Sequence, residues 1–251
     1  MFLRTSTQSG DGASSGLPVL EREQVTLSNV QIDSWLATHP SFGSFDRGSE
    51  TIRTLRTVLA KYAWRRPEAL EFFEGRLGRF YLREDVLGRP LYFCAAAAQG
   101  VLTILISREP RVGLELAGAA EADSLLARVE TEIAPQERDV IAGLSPVARR
   151  RALLSIWTRK RALQQANAVH EVTSLKSIAV GLGELALELP PSFGWLHQWR
   201  LHGFTLRSGE IGSIAVYRHE ALLVLGAGDR RSTGKRSLPG RERRRPIATA
   251  I

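Results

Sequence analysis

Few residues of this chain are of a type and in a setting that could do chemistry. Glu115 is the sole carboxylate of the segment Arg111-Val112-Gly113-Leu114-Glu115-Leu116-Ala117. In a strand, alternation sets Val112, Leu114 and Leu116 on one face and Gly113, Glu115 and Ala117 on the other. About forty-five positions later, Ile156-Trp157-Thr158-Arg159-Lys160-Arg161-Ala162 brings three consecutive cations. The five histidines, His39, His170, His197, His202 and His219, show no metal-ligand spacing and read as scattered structural residues. Cys94 follows Phe93 and precedes four alanines, the setting of a small buried hydrophobe rather than a nucleophile. There is no nucleophile elbow, P-loop or dinucleotide fingerprint, and Gly181-Leu182-Gly183 reads as a turn between strands. Arg65-Arg66 and Arg149-Arg150-Arg151 read as solvated charge that could also help dock an acidic partner.

The elements that must position these residues follow from periodicity. Alternation over Val25–Val30 predicts a strand, with Ile32 to Leu36 entering a short helix. Ser49 predicts a helix cap, and Ile52, Leu55, Val58 and Leu59 form the buried face of a helix running to about Tyr62, with Arg53 and Arg56 off that face. Glu68 to Phe73 follows as a further turn of helix. Val101 to Ile106 is a continuous apolar run of strand length, predicted to be covered on both sides. Helices are predicted over about 121–133, 135–144 and 146–168, the last two with proline at their starts. Strand-rich segments follow at 177–180, 185–189, 199–206, 211–217 and 221–225. This organisation is α+β: a disordered leader over 1–22, one half over 23–108, a second over 109–227, and a basic flexible tail over 228–251.

The bulk numbers bound the class. With 251 residues, 43% hydrophobic and 24% charged, the chain can bury a sizeable core. The tail from Gly228 carries eight Lys/Arg against two acids, so it holds +6 of the formal charge of +8. That distribution reads as a solubilising end and argues against nucleic acid as a partner. No apolar run approaches the roughly 20 residues that span a bilayer, so a cytoplasmic location without membrane contact is expected. One cysteine excludes an intrachain disulfide.

The two segments quoted first resemble the signature blocks of the phosphopantetheinyl transferases, V-G-(V/I)-D-(V/I)-E followed by (F/W)-(S/T)-x-K-E-A-x-x-K. The likeness is to the two-lobed, surfactin-synthetase type and covers roughly residues 25–226. Arg53-Thr54-Leu55-Arg56-Thr57-Val58-Leu59 is similar to the family's R-x-L-x-x-x-L helix, and Gly78-Arg79-Phe80 to its G-K-P turn. Phe93-Cys94-Ala95-Ala96-Ala97-Ala98 matches F-N-x-S-H-S in place, and Ala134-Pro135-Gln136-Glu137 the F-x-x-x-E helix. The resemblance implies two pseudo-symmetric halves, each of helices packed on a small antiparallel sheet, joined near Ser107 to Arg111.

The family moves the phosphopantetheine arm of coenzyme A onto a serine of a carrier protein, with magnesium held by two strand carboxylates and one helix carboxylate. Here those positions hold Glu115, Ala117 and Arg161. The Asn, Ser and His near the phosphates are Cys94, Ala96 and Ala97, and the basic residue after the helix glutamate is Gln165. Magnesium is therefore not expected and no cofactor is required. Glu115 and Arg161 are the candidate catalytic pair, expected within salt-bridge distance with the guanidinium in place of the cation. Arg53, Arg79 and Lys160 match cofactor-contacting or site-supporting cations for coenzyme A or a phosphopantetheine-linked ligand.

Three readings stay open. One is a repurposed member acting on an acyl or polyketide intermediate, free or tethered to a carrier protein, in an alanine-lined cleft between the halves. A second is a non-catalytic scaffold or regulator that binds an acyl or peptidyl carrier protein or coenzyme A. The third keeps the ancestral transfer with an altered metal site. A monomer is expected in each case.

Overall fold

The computed structural model describes residues 19–27, 30–40, 42, 49–74, 80–82, 91–118, 122–167 and 174–218. All fall in one compact unit, Met1–His219; no residue of the second unit, Glu220–Ile251, is described. The leader to residue 18, Arg79, the segment 221–225 and the tail 228–251 lie outside the described residues.

Alternation dominates the first half. β1 (Val19–Leu27) and β2 (Val30–Thr38) form an antiparallel hairpin, so Val19 to Arg22 belong to a strand rather than to the leader. The helix predicted over Ile32 to Leu36 is instead the middle of β2. It pairs on one side with β1 and on the other with β6 (Val101–Ser107), and Ile32 and Trp35 are buried on opposite faces of the strand. Tertiary pairing on both edges overrides the weak local helical signal. Strands β3 (Phe72–Glu74), β4 (Phe80–Leu82) and β5 (Tyr92–Ala98) complete a six-stranded antiparallel sheet in the order β1-β2-β6-β5-β4-β3. The turn of helix predicted over Glu68 to Phe73 is a short 3-10 turn, Pro67–Ala69, followed by β3.

Helix α1 (Glu50–Ala63) starts as predicted, with Ser49 Oγ accepting from Ile52 N at 3.3 Å. Its face of Ile52, Leu55, Val58 and Leu59 packs on Trp35, Phe93, Leu102, Ile104 and Ile106 of the larger sheet. Its end is tied to β2 by a polar chain. Trp35 Nε1 donates to Tyr62 Oη at 2.8 Å, Tyr62 Oη donates to Asp33 Oδ2 at 2.8 Å, and Arg22 donates to the same carboxylate at 3.0 Å.

The second sheet has three strands in the order β10-β11-β7: β7 (Val112–Ala117), β10 (Trp199–Thr205) and β11 (Ile211–Tyr217). Strands β8 (Ala179–Val180) and β9 (Ala186–Glu188) make a small separate hairpin. The two larger sheets meet face to face. Cys94, Ala96, Ala98, Val101 and Leu105 of one oppose Val112, Leu114, Leu116, Ile214 and Val216 of the other. On the far face of the smaller sheet lies α4 (Pro146–Ala166), flanked by α2 (Ala122–Thr131) and α3 (Pro135–Ile141). The architecture is α+β, a layering of α1, larger sheet, smaller sheet and α4, with unequal sheets. None of the described helices is long and apolar enough to cross a membrane.

Gly113 sets the approach of α4 to β7, since a Cβ there would lie 2.0 Å from Ala162 O. Gly113→Ala should therefore cost stability at the upper end of about 1–3 kcal/mol. Gly183→Ala, with nothing near the added carbon, should change stability by less than about 0.5 kcal/mol; denaturant midpoints of the two variants check this.

Burial pushes Tyr62 up to about 12. The unfolded phenol ionises near its ordinary value of about 10 while the folded one keeps its proton. This contribution is thus present below pH 10 and lost as pH rises toward 12. Unfolding measured across that interval should show an alkaline loss of stability that is smaller in Tyr62→Phe.

Candidate functional site

Because α4 lies so close over β7, its polar residues reach the strand. Gln165 spans the gap: its Oε1 accepts from Leu114 N at 3.3 Å and its Nε2 donates to Glu115 Oε2 at 2.8 Å. Arg161 stands one helical turn earlier. Its Nε is 4.0 Å from the same carboxylate oxygen, at the outer limit of an ion pair, while its Nη1 donates to Gln164 Oε1 at 2.6 Å. The expected approach of Arg161 to Glu115 is thus present, but the short contact belongs to Gln165. Both charged side chains keep some exposure, so their attraction is screened and small. Ser213, cross-strand from Glu115, is buried and shares a hydroxyl hydrogen bond of 2.8 Å with Thr158.

Magnesium calls for several oxygen ligands in near-octahedral array. Among the described residues Glu115 is the carboxylate at this place, already held by an amide and flanked by a guanidinium. Two unit charges about 4 Å apart repel by about 4 kcal/mol at an effective dielectric near 20, and a divalent ion doubles that. Ala117 is buried and packs against Leu154 and Ile211. The residues do not fit a magnesium ion. No group of three or more potential metal-binding side chains occurs among the described residues.

The other candidates lie apart from this pair. Lys160 points away from Glu115 into the protein and is 1% exposed. Its Nζ is 2.6 Å from Glu137 Oε2 and donates to Glu132 O at 2.7 Å and Leu175 O at 2.9 Å. All three ammonium protons have acceptors, which leaves none for a cofactor. Glu137 is equally enclosed: Ala134 N donates to Oε2 and Val180 N to Oε1, each at 2.8 Å. Burial pushes Glu137 up and Lys160 down from their ordinary values, and each partner's charge opposes the shift of the other.

Arg53 sits on α1, with both sheets between it and α4, and makes an ion pair with Glu50 at 2.5 Å. It borders an open groove of about 820 Å³ that also takes in Leu20, Arg56 and Glu68. Acids and bases alternate there, so the groove is not a uniformly positive phosphate seat. The structure therefore brings Glu115 and Arg161 together and leaves Arg53 and Lys160 elsewhere.

The alanine run expected to line a cleft lies in β5. Ala96 and Ala98 pack in the seam between the sheets, while Ala95 and Ala97 pack with the α1 cluster. The seam face of the run is buried and the α1 face partly buried.

Arg159 was not singled out by sequence reasoning. Only 5% exposed, it donates to Gly181 O at 2.8 Å, Leu182 O at 2.9 Å and Gly183 O. The glycine loop therefore turns carbonyls toward a cation, the reverse of the amide cradle that binds phosphate. Compared with protein-family models and with the sequences of curated proteins, the chain matches none.

Removing one partner of the buried pair leaves the other charge stranded. Lys160→Met should cost about 3–5 kcal/mol, and Lys160→Met with Glu137→Leu should recover part of that loss. A thermal or urea denaturation series on the three proteins is the measurement.

Proposed function

We propose that this chain is a divergent relative of the two-lobed phosphopantetheinyl transferases that works as a non-catalytic binding protein for an acyl or peptidyl carrier protein or for coenzyme A. The family assignment rests on the order of the sequence blocks, and the α+β layering is compatible with it. The observation that carries the functional reading is the hydrogen-bonded and ion-paired set of Glu115, Gln165, Arg161 and Gln164. It fills with protein groups the place where the family needs a cation. The packing of Ala96 and Ala98 in the seam between the sheets favours a binding role over conversion of an acyl intermediate, which requires an open apolar cleft.

The test is incubation with coenzyme A, magnesium and an apo carrier protein. The expected result is no phosphopantetheine mass added to the carrier, together with calorimetric binding of the carrier protein or of coenzyme A. Magnesium titration of the unmodified protein should give no heat of binding. Mass transfer to the carrier would revive the transferase reading, and binding of neither ligand would remove the scaffold reading.

A further inference from the structure

The larger sheet ends in a long strand with one edge unused. β1 has nine residues, pairs with β2 alone among the described strands, and keeps one register along its whole length. Which of its backbone groups are spent follows from the next ladder. Asp33, Trp35 and Ala37 of β2 pair with Ile106, Ile104 and Leu102, and the ladder runs on to His39 N, which donates to Gly100 O at 2.8 Å. A strand turns alternate residues to its two neighbours, so Asp33, Trp35 and Ala37 bond β6 while Ile32, Ser34 and Leu36 bond β1. Their partners Val25, Glu23 and Glu21 are thereby used, and Leu20, Arg22, Gln24 and Thr26 turn N–H and C=O outward. The strand contains neither proline nor bulge, two of the devices that keep an edge from pairing. The charge of Arg22 is drawn back over the sheet, where it bonds Asp33 at 3.0 Å and lies 5.8 Å from the centre of the Trp35 ring.

A groove runs beside this edge. Leu20 packs with the α1 cluster, so the α1 face of β1 is also one wall of the open groove of about 820 Å³ that Thr54 and Thr57 border from the helix. Thr57 satisfies its hydroxyl on Arg53 O at 3.0 Å. Thr54, another of the lining residues, is 2% exposed and its Oγ1 meets no hydrogen-bond partner among the described residues. A buried hydroxyl left without a partner is costly, and one in the wall of a groove is available to a guest.

Edge and groove together select the occupant. A row of N–H and C=O groups at strand spacing is matched by another extended backbone, which then sets every second side chain on the α1 face, over the groove. A second copy is a poor match. Antiparallel pairing of β1 with itself would keep like faces together and bring Leu20, Arg22, Gln24 and Thr26, three of them polar, toward a groove with Leu20 and Pro67 in its wall. Arg53 and Glu68 give the rim both signs, which favours an uncharged guest. We propose that β1 and this groove form a docking site for an extended segment of a partner polypeptide, added as a seventh strand, with apolar side chains at alternate positions. The inference is independent of the carrier-protein reading.

The probe comes from random peptides as long as β1, displayed on phage, selected on the full chain and then synthesised with a fluorescent label. Enriched sequences should alternate apolar residues, and the synthetic peptide should bind in fluorescence anisotropy. N-methylation of one alternate set of peptide amides should raise Kd about tenfold or more, while methylation of the other set should change it by less than about threefold, as strand pairing requires. Gln24→Pro, which removes an outward N–H, and Thr57→Trp, which fills the groove from α1, should each weaken binding about tenfold. Val147→Glu, at a residue of α4 that is 74% exposed, should leave it unchanged. Circular dichroism verifies the fold of each variant, and Thr57→Trp suffices if Gln24→Pro does not fold. Failure to enrich any peptide, equal loss from both methylated sets, or undiminished binding to the edge and groove variants overturns the proposal. So does a peptide weakened as much by Val147→Glu, which would place its site elsewhere.

Discussion

Lys160 and Glu137 meet where neither can reach water, and four parts of the chain converge on them. Lys160 comes from the middle of α4 and Glu137 from the first turn of α3. The backbone at Glu132 and Leu175 accepts from the ammonium, while that at Ala134 and Val180 donates to the carboxylate. Two desolvated charges are costly unless every donor and acceptor is met, and here they are. The pair thereby dictates where α4 lies. Once α4 is fixed, Gly113 allows it down onto β7, and Glu115, Gln165 and Arg161 fall into register.

This ordering separates the two lysine and arginine neighbours in role. Lys160 serves the interior and Arg161 faces the strand carboxylate, though they are adjacent in sequence. A helix places successive residues roughly 100° apart, so one step carries a side chain from the α3 side of α4 toward Glu115. Arg159, one step the other way, reaches the Gly181–Gly183 loop. Three consecutive cations thus join α4 to three different parts of the fold, and the helix registers them all.

Sequence made some of this readable and hid the rest. The alternation of Val112, Leu114 and Leu116 against Gly113, Glu115 and Ala117 is the alternation of the folded strand, because both faces of β7 are covered. Ser49 and the spacing of Ile52, Leu55, Val58 and Leu59 delimit α1 for local reasons that tertiary structure does not disturb. Ile32 to Leu36 misleads, because its strand character comes from partners around 21–25 and 103–107 rather than from its own residues. Arg159-Lys160-Arg161 hides its burial, since such a run ordinarily marks a solvated helix face. Glu137 is visible in sequence only as part of a resemblance; its charge partner lies twenty-three positions away.

The order of the smaller sheet has a consequence for how the chain is made. Among the described strands β7 pairs with β11 alone, although roughly a hundred residues separate them. On a ribosome, β7 emerges early and finds no ladder partner until Ile211–Tyr217 has been synthesised. The platform that receives α4 is therefore absent while α4 itself is being formed. Local helix formation can run ahead, but closing so long a loop is slow and entropically unfavourable. During that interval the face of β7 carrying Val112, Leu114 and Leu116 has only the earlier, alanine-bearing sheet to cover it. The first-made half of the molecule then acts as a built-in holding surface for the strand that must wait.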